Sequence, residues 1–197
     1  MSDNVIDKDL VTRYLDGDKS AFSELVKRHK NLIYNLAFRL VGIAEEAEDL
    51  TQEIFIRLLD KVSMWRGEAK FSTWLYRLAI NHCRDHLRRR HLETSEINES
   101  LCDPHPGPAQ ETETREVRCL IENALMELPI DFRAVVYLRD IGSFSYGEIA
   151  SILEIELGTV KSRLARGRRS LARALEADER DSQKDREQID APDHLRG

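Results

Sequence analysis

Arginine side chains recur at helical spacing within residues 157–175, a run that contains no Asp or Glu. On a helix with about 100° per residue, Arg166, Arg169 and Arg173 lie on one side together with Ser162. The apolar residues of the same run fall on the opposite side; they are Val160, Leu164, Leu171 and Leu175. Guanidinium groups bind phosphates and the edges of bases. One face of this helix can therefore pack on a small core while the other contacts nucleic acid.

A shorter helical run begins at Ser145, and Gly158-Thr159 would supply a turn and an N-cap between the two runs. Two such helices, the second of them basic, are typical of a helix-turn-helix, whose second helix enters the major groove of DNA. The alternative is an amphipathic hairpin whose basic side only faces solvent. Surface helices usually mix positive and negative charges. Because this run has no acids, its pattern favours DNA binding.

A second basic stretch ends the helix predicted over about residues 72–90. Its arginines are Arg77, Arg84, Arg88, Arg89 and Arg90, and they follow the aromatic residues Trp65, Phe71, Trp74 and Tyr76. Aromatic rings stack on unpaired bases while arginines contact the phosphates, so this combination is typical of single-stranded DNA binding. The alternative is that the rings belong to the core, which is the favoured interpretation for Trp74.

Three further residues have the chemistry of metal ligands. His82 and His86 lie one helical turn apart with Cys83 between them, but no fourth ligand has fitting spacing. We therefore expect neither a metal nor another cofactor.

The acidic run 45–53 indicates, on its residues alone, a solvated helix face. Because the sequence has no Gly-rich phosphate loop, HExxH motif or nucleophile elbow, we expect that the chain is not an enzyme.

Charge placement is more informative than the formal net charge of −6 over 197 residues. Residues 93–113 hold six Asp or Glu, three Pro and no Lys or Arg, which predicts a flexible acidic linker.

Three cysteines without CxxC spacing argue against a disulfide framework. The first residues lack the basic start and apolar centre of a signal peptide. We expect a cytoplasmic protein that does not insert into membranes.

Helical periodicity runs through the remaining sequence, and the alternation typical of strands is nearly absent. The fold class is therefore predicted to be all-α, with the first long helix capped at Asp18 and stopped at Gly42. We expect two small helical domains, of which the second ends in the helix-turn-helix. The predicted segments are domain 1–92, flexible linker 93–113, domain 114–177 and disordered tail 178–197.

These features together resemble an extracytoplasmic-function (ECF, group IV) sigma factor of bacterial RNA polymerase, a branch of the sigma-70 family. The stretches that carry the resemblance are AFSELVKRH (21–29), EAEDLTQEIFIRL (46–58), KFSTWLYRLAINHCRDHLRRR (70–90) and SYGEIASILEIELGTVKSRLARGRRSLARAL (145–175). The order of four motifs is more specific than any one of them. Ala165 departs from the family pattern, in which larger side chains are common at this position of the recognition helix.

The resemblance implies a subunit that binds core RNA polymerase and directs promoter-specific transcription initiation, in a stress or envelope response. It implies contacts to the β′ clamp helices by Asp49, Gln52 and Glu53, and a further contact to the β flap. The implied −10 DNA contacts are Arg66, Phe71, Arg77, Asn81, Arg84 and Arg88. The implied −35 DNA contacts are Thr159, Lys161, Ser162, Arg163, Arg166 and Arg169. An anti-sigma factor is a further expected partner, whereas a small-molecule substrate is not expected.

Two other classes of protein share some of these features. A stand-alone regulator of the LuxR-like kind would bind its operator without polymerase, and the acidic helix would then have no partner. A DNA recombinase would use its helix-turn-helix to target a catalytic domain, but the sequence shows no suitable nucleophile or cluster of metal-binding carboxylates. Transcription in vitro with and without the chain separates all three classes.

Overall fold

The computed structural model describes residues 3–93 and 121–189, with side chains described up to residue 91 in the first part and 176 in the second. Every element described is helical. The first part contains α1 (Asp3–Leu15), α2 (Lys19–Val41), α3 (Ala44–Lys61), a 3-10 turn (Val62–Met64) and α4 (Phe71–Glu93). The second part contains helical residues 121–126, α5 (Ile130–Val136), a π-helical turn (Tyr137–Ile141), α6 (Tyr146–Leu153) and α7 (Leu157–Ile189).

Helix α2 begins and ends where the sequence predicts. The Asp18 side chain accepts a hydrogen bond from the Ser20 backbone N–H at 2.9 Å, which satisfies one of the free donors of the first turn. Gly42 has a φ of 84°, a conformation that strains residues with a Cβ. Its N–H donates to the Phe38 carbonyl at 2.8 Å. These two caps set the length of the helix.

The apolar core of the first part joins α2, α3 and α4, as their predicted stripes require. Its largest fully buried side chains are Phe71, Leu25, Ile33, Leu36, Leu40, Leu50, Ile54, Leu58, Leu75 and Ile80. Burying one such side chain contributes about 1.5–3 kcal/mol. Helix α1 was not predicted, because its buried residues are only Leu10, Val11 and the charged Asp7.

The helix-turn-helix is formed by α6 and α7. Ser145 and Glu148 form a capping box at the start of α6, each side chain bonding the backbone of the other residue. The turn contains Glu154 in the left-handed conformation, with a φ of 55°, and α7 begins at Leu157. The prediction that Gly158-Thr159 forms the turn and N-cap was wrong, because both residues already lie in the first turn of α7.

Helix α7 is longer than the predicted second domain. It runs to Ile189, so residues 178–189 continue the helix where the sequence analysis expected the disordered tail. Residues 190–197 and the predicted linker, apart from Glu93, lie outside the described residues. Within the described ranges, no helix is long and apolar enough to cross a membrane.

The two groups of helices pack against each other, with α4 beside α6 and α2 beside α5. The rings of Tyr76 and Phe144 meet edge to face, with their centroids 4.8 Å apart. The buried guanidinium of Arg133 donates to the Leu40 carbonyl at the end of α2 and to the Leu128 carbonyl at 2.9 Å. Burial lowers the pKa of Arg133 to about 10, and the carbonyls offset part of that desolvation. We call this contact region the domain interface.

Candidate functional site

The exposed face of α7 carries most of the residues predicted to contact −35 DNA. Val160 and Leu164 are buried against the second helical group, and they turn the opposite side of the helix outward. The exposed residues on that side include Lys161, Ser162, Arg166 and Arg169. Thr159 is half-buried, and its carbonyl accepts a hydrogen bond from the Ser162 hydroxyl at 3.0 Å. Helix α7 can therefore present several positive charges to a DNA groove.

Arg163 differs from its neighbours on α7 because it points toward the domain interface. Its guanidinium lies 3.2 Å from one carboxylate oxygen of Asp131. Arg84 of α4 lies 2.8 Å from the other oxygen of the same carboxylate. A residue predicted to contact −35 DNA and one predicted to contact −10 DNA thus share a single acid in α5.

The start of α4 is also covered by acids and carbonyls of the helix-turn-helix. Arg77 lies 3.1 Å from a carboxylate oxygen of Glu154 and donates to the Ser151 carbonyl at 2.6 Å. The ammonium group of Lys70 lies 2.8 Å from the Glu148 carboxylate. The hydrogen bond from Lys70, together with those from Ser145, lowers the pKa of Glu148 to about 2. Glu148 therefore both caps α6 and joins the two helical groups.

Among the other predicted −10 contacts, Phe71 lies in the core and is not accessible to DNA in this arrangement. Its side chain is 0 % exposed, because the rings of Trp65 and Trp74 pack on it at centroid distances of 5.4 Å and 6.1 Å. Burying this ring removes more apolar surface from water than stacking it on a base would. Trp74 is only partly buried and packs on the core.

The remaining predicted −10 contacts reach solvent. Arg66, in the loop before α4, and Asn81, on α4, are exposed. Arg88 is exposed as well and pairs with Asp85 of the same helix at 2.9 Å. The loop and one side of α4 therefore offer polar groups outside the domain interface.

Helix α3 places its three predicted polymerase contacts on one exposed face. Asp49, Gln52 and Glu53 face solvent, while Leu50 and Ile54 beside them are buried. Ile56, one turn beyond Gln52, is 60 % exposed and adds an apolar side chain that the sequence analysis did not identify. We call Asp49, Gln52 and Glu53 the acidic face of α3.

The two histidines of α4 bind carboxylates of α3 instead of converging with Cys83. His82 Nε2 lies 2.6 Å from Glu53 Oε2, and His86 Nε2 lies 2.9 Å from Glu46 Oε2. Cys83 is buried in the core, and burial raises the pKa of its thiol to about 12. Among the described residues, no group of three or more His, Cys, Asp and Glu is arranged to hold a metal ion.

The acids that pair with the predicted DNA-binding arginines were not identified from the sequence. Nothing in the sequence marks Asp131 as a partner of these arginines, because it is a single acid at the start of a short helix. Glu154 is visible as an acid at the helix-turn-helix bend, but its partner Arg77 lies 77 residues away. A basic helix facing an acidic bend in another domain can be recognised only once the packing is known.

Two family matches cover most of the described chain. Residues 25–93 match Sigma-70 region 2, which includes α3, α4 and most of α2. Residues 120–171 match Sigma-70, region 4, which includes the helix-turn-helix. A stand-alone regulator or a recombinase would not need both regions, so the two matches remove those alternatives.

Similar proteins span nearly the whole chain. The RNA polymerase sigma-H factor of Pseudomonas aeruginosa is 34 % identical over 181 residues, covering 86 % of this chain and 94 % of that protein. The ECF RNA polymerase sigma factor SigW of Bacillus subtilis is 34 % identical over 170 residues, covering 81 % and 91 %.

Solved structures with the same arrangement of helices include complexes with partner proteins. CnrH in complex with the cytosolic domain of CnrY superposes with a TM-score of 0.65 at 25 % identity, covering 88 % of this chain and 99 % of that one. The sigma factor RpoE of Bartonella quintana, in complex with NepR, shows the same fold with a TM-score of 0.67, covering 80 % of this chain and 98 % of that one. With both regions matched and relatives above 30 % identity along the chain, this protein belongs to the extracytoplasmic-function sigma factors, which direct promoter-specific initiation by RNA polymerase.

Proposed function

We propose that the acidic face of α3 binds the β′ clamp helices of core polymerase, while α7 recognises the −35 element. The observation that carries this proposal is the two-sided form of α7, with Val160 and Leu164 buried and Lys161, Arg166 and Arg169 exposed. A helix held on one side and basic on the other fits the geometry of a recognition helix in the major groove.

We propose that residues 1–92 bind polymerase and the −10 element, that residues 114–177 bind the −35 element and the β flap, and that 93–113 links them. Arg66, Asn81 and Arg88 are the exposed candidates for −10 recognition. Phe71 contributes by supporting the loop from beneath. The chain acts in the cytoplasm, without catalytic chemistry of its own.

The described packing corresponds to a closed form of the chain. Arg77, Arg84 and Arg163 are each paired with an acid at the domain interface. These arginines can bind phosphates only after they leave those acids. We therefore propose that the two domains separate when polymerase and promoter DNA bind, while the acidic face of α3 is already open in the closed form.

We also propose that an anti-sigma factor restrains this chain. Among the solved structures with the same fold, one is a sigma factor bound to an anti-sigma factor and another is CnrH bound to the cytosolic domain of CnrY. A partner that covers the acidic face of α3, or that holds the domains closed, would prevent initiation.

Transcription in vitro with purified core polymerase tests the proposed contacts. Core enzyme with the wild-type chain should produce a defined transcript from a template that carries the matching −10 and −35 elements. Asp49→Arg should abolish the transcript by weakening polymerase binding, and Arg166→Ala should reduce it by weakening −35 binding. Full activity of both variants would refute the assigned surfaces.

The anti-sigma proposal has its own test. Tagged wild-type chain is isolated from its host, and each co-purified protein is then produced and tested for competition with core polymerase. A protein that displaces polymerase from the wild-type chain and suppresses the transcript supports the proposal. If none of the co-purified proteins competes, the proposal fails.

A further inference from the structure

Two histidines on α4 form parallel contacts with two carboxylates on α3. His82 and His86 lie one turn apart, and their partners Glu53 and Glu46 lie two turns apart on the other helix. The pair formed by Glu46 is reinforced by Arg90, whose guanidinium lies 3.2 Å from it. Glu53 belongs to the acidic face of α3, whereas Glu46 lies outside it. Only the first pair therefore involves a residue with a proposed polymerase contact.

The His82–Glu53 pair is very unequal in burial. The His82 side chain is 1 % exposed, while that of Glu53 is 56 % exposed. The second ring nitrogen of His82, Nδ1, is buried and has no hydrogen-bond partner among the described residues. A buried polar atom without a partner is rare in proteins, and an apolar side chain would fill this position without that cost. Within the described residues, the one hydrogen bond of the His82 side chain is therefore the bond to Glu53.

The surroundings of His82 favour its neutral form. Burial lowers the pKa of His82, and the nearby charges of Arg57 and Arg89 act in the same direction, while the hydrogen bond to Glu53 opposes them. A neutral imidazole that bonds an ionised carboxylate through Nε2 carries its proton on Nε2, because the carboxylate can only accept. Nε2–H is then a fixed donor that the buried ring directs at the exposed carboxylate.

We propose that His82 is a positioning residue that holds the Glu53 carboxylate in one orientation on the acidic face of α3. A free glutamate on a surface helix samples several rotamers and loses that freedom when a partner binds it. A carboxylate already held by a rigid donor loses less, so the complex with its partner is tighter. This inference rests on the proposed docking role of the acidic face of α3.

The test compares polymerase affinity among variants of the full chain. His82→Leu removes the donor but keeps an apolar group in the core, and we expect it to weaken binding to core polymerase by about two- to ten-fold. His82→Gln, whose amide nitrogen can take the place of Nε2, should restore most of that loss. His86→Leu breaks the equivalent pair outside the acidic face and should leave the affinity unchanged. Unfolding by denaturant measures the stability of each variant.

A double-mutant cycle separates positioning from a merely structural role. Glu53→Ala should weaken polymerase binding, and Glu53→Ala combined with His82→Leu should weaken it no further, because no carboxylate is left to position. If His82→Leu does not fold, His82→Asn replaces it in the cycle, since its shorter amide cannot reach Glu53.

Two results would count against these ideas in different ways. Wild-type affinity of the His82 variant, with weakened binding by Glu53→Ala, would overturn the positioning role and leave the docking role intact. Unchanged affinity of Glu53→Ala and of Asp49→Arg would overturn the docking role itself. Equal losses from the His82 and His86 variants would show that both pairs act only through the packing of α3 on α4, which also overturns the positioning role.

Discussion

Arg77 of α4 and Glu154 of the helix-turn-helix bend form an ion pair of 3.1 Å between two parts of the chain that are 77 residues apart. The same arginine donates to the Ser151 carbonyl, so its guanidinium is held on two sides. Because Arg77 is a proposed −10 contact, the second domain covers part of the proposed DNA-binding surface of the first.

Removing the acid of this pair should loosen Arg77, which would keep its hydrogen bonds to Ser151. Glu154→Asn is suited to this purpose because asparagine tolerates the left-handed conformation at this position better than most residues. We expect the chain to bind a single-stranded −10 oligonucleotide up to about five-fold more tightly, the range that one partly exposed ion pair allows. Fluorescence anisotropy with a labelled oligonucleotide measures the affinity.

Glu156→Asn provides the matched control for that experiment. Glu156 is an exposed acid of the same bend, so its removal changes the net charge equally without touching Arg77. An equal gain in affinity from both variants would attribute the effect to net charge and contradict the role of the ion pair.

Arg166→Ala should weaken binding to −35 DNA. If the guanidinium forms a bidentate contact to a base, the loss of binding free energy is about 1–3 kcal/mol and is confined to duplexes with the matching base pair. If it contacts only phosphate, all sequences weaken alike and the salt slope of binding falls by about one. Arg168→Ala is the control on the same helix, because Asp140 already holds Arg168. The assignment fails if Arg166→Ala binds intact and scrambled −35 duplexes as the wild type does, or if Arg168→Ala causes an equal loss.

Asp49→Arg should lower the affinity for core polymerase by more than about ten-fold, because it reverses the charge at the proposed contact. The free energy of unfolding should change by less than about 0.5 kcal/mol, since Asp49 is exposed and outside the core. Surface-immobilised polymerase measures binding. Glu24→Arg makes the same charge change on an exposed position of α2, and a similar loss with this variant would rule out a specific contact.

The free energy of unfolding should depend on Glu148 at low pH. The pKa of this carboxyl is lowered from 4.5 to about 2 by Lys70 and Ser145. A lowered pKa in the folded state means that the stabilisation is complete above about pH 4.5 and is lost as the pH falls toward about 2. Glu148→Gln keeps a side chain that can cap α6 but does not titrate. We expect the free energy of unfolding, measured with denaturant across this pH range, to fall more steeply for the wild type than for Glu148→Gln. Parallel pH dependences of the two proteins would contradict the assignment.

Gly167 should tolerate no larger residue. A Cβ at this position would lie 2.8 Å from a methyl group of Val136, because α7 crosses close to α5 here. We expect Gly167→Ala to destabilise the fold by about 1–3 kcal/mol, as overpacking does.

Gly158→Ala is the control, since a Cβ there meets no atom within 4 Å. That change should stabilise α7 by up to about 1 kcal/mol, measured as a higher melting temperature. A stabilising Gly167→Ala would mean that the helices can move apart freely.

Local signals account for the features that the sequence predicted well. The caps at Asp18 and Gly42, the buried and exposed sides of α7 and the outward direction of Asp49 all follow from residues within a few positions of one another. They depend on the helical period and on backbone conformation alone.

The features that could not be predicted depend on distant partners. His82 finds its carboxylate 29 residues away, and Asp131 receives its two arginines from different helices. Phe71 carries an aromatic ring that suits either stacking on bases or packing in a core, and only the neighbouring Trp65 and Trp74 decide between them. Helix α1 has too few apolar residues to be recognised by its period.

The carboxylate that Arg84 and Arg163 share also acts as a built-in counterion for both guanidinium groups. A stretch of arbitrary chromosomal DNA that meets the closed chain must displace Asp131 from these arginines before its phosphates can replace it, so it releases fewer free ions from them. Random sequence, which vastly outnumbers promoters, therefore competes poorly for the chain. In the proposed mechanism, polymerase opens the domains and supplies the free energy that frees both guanidinium groups at the promoter. Asp131 would then weaken DNA binding by the isolated chain and keep the chain available for promoters.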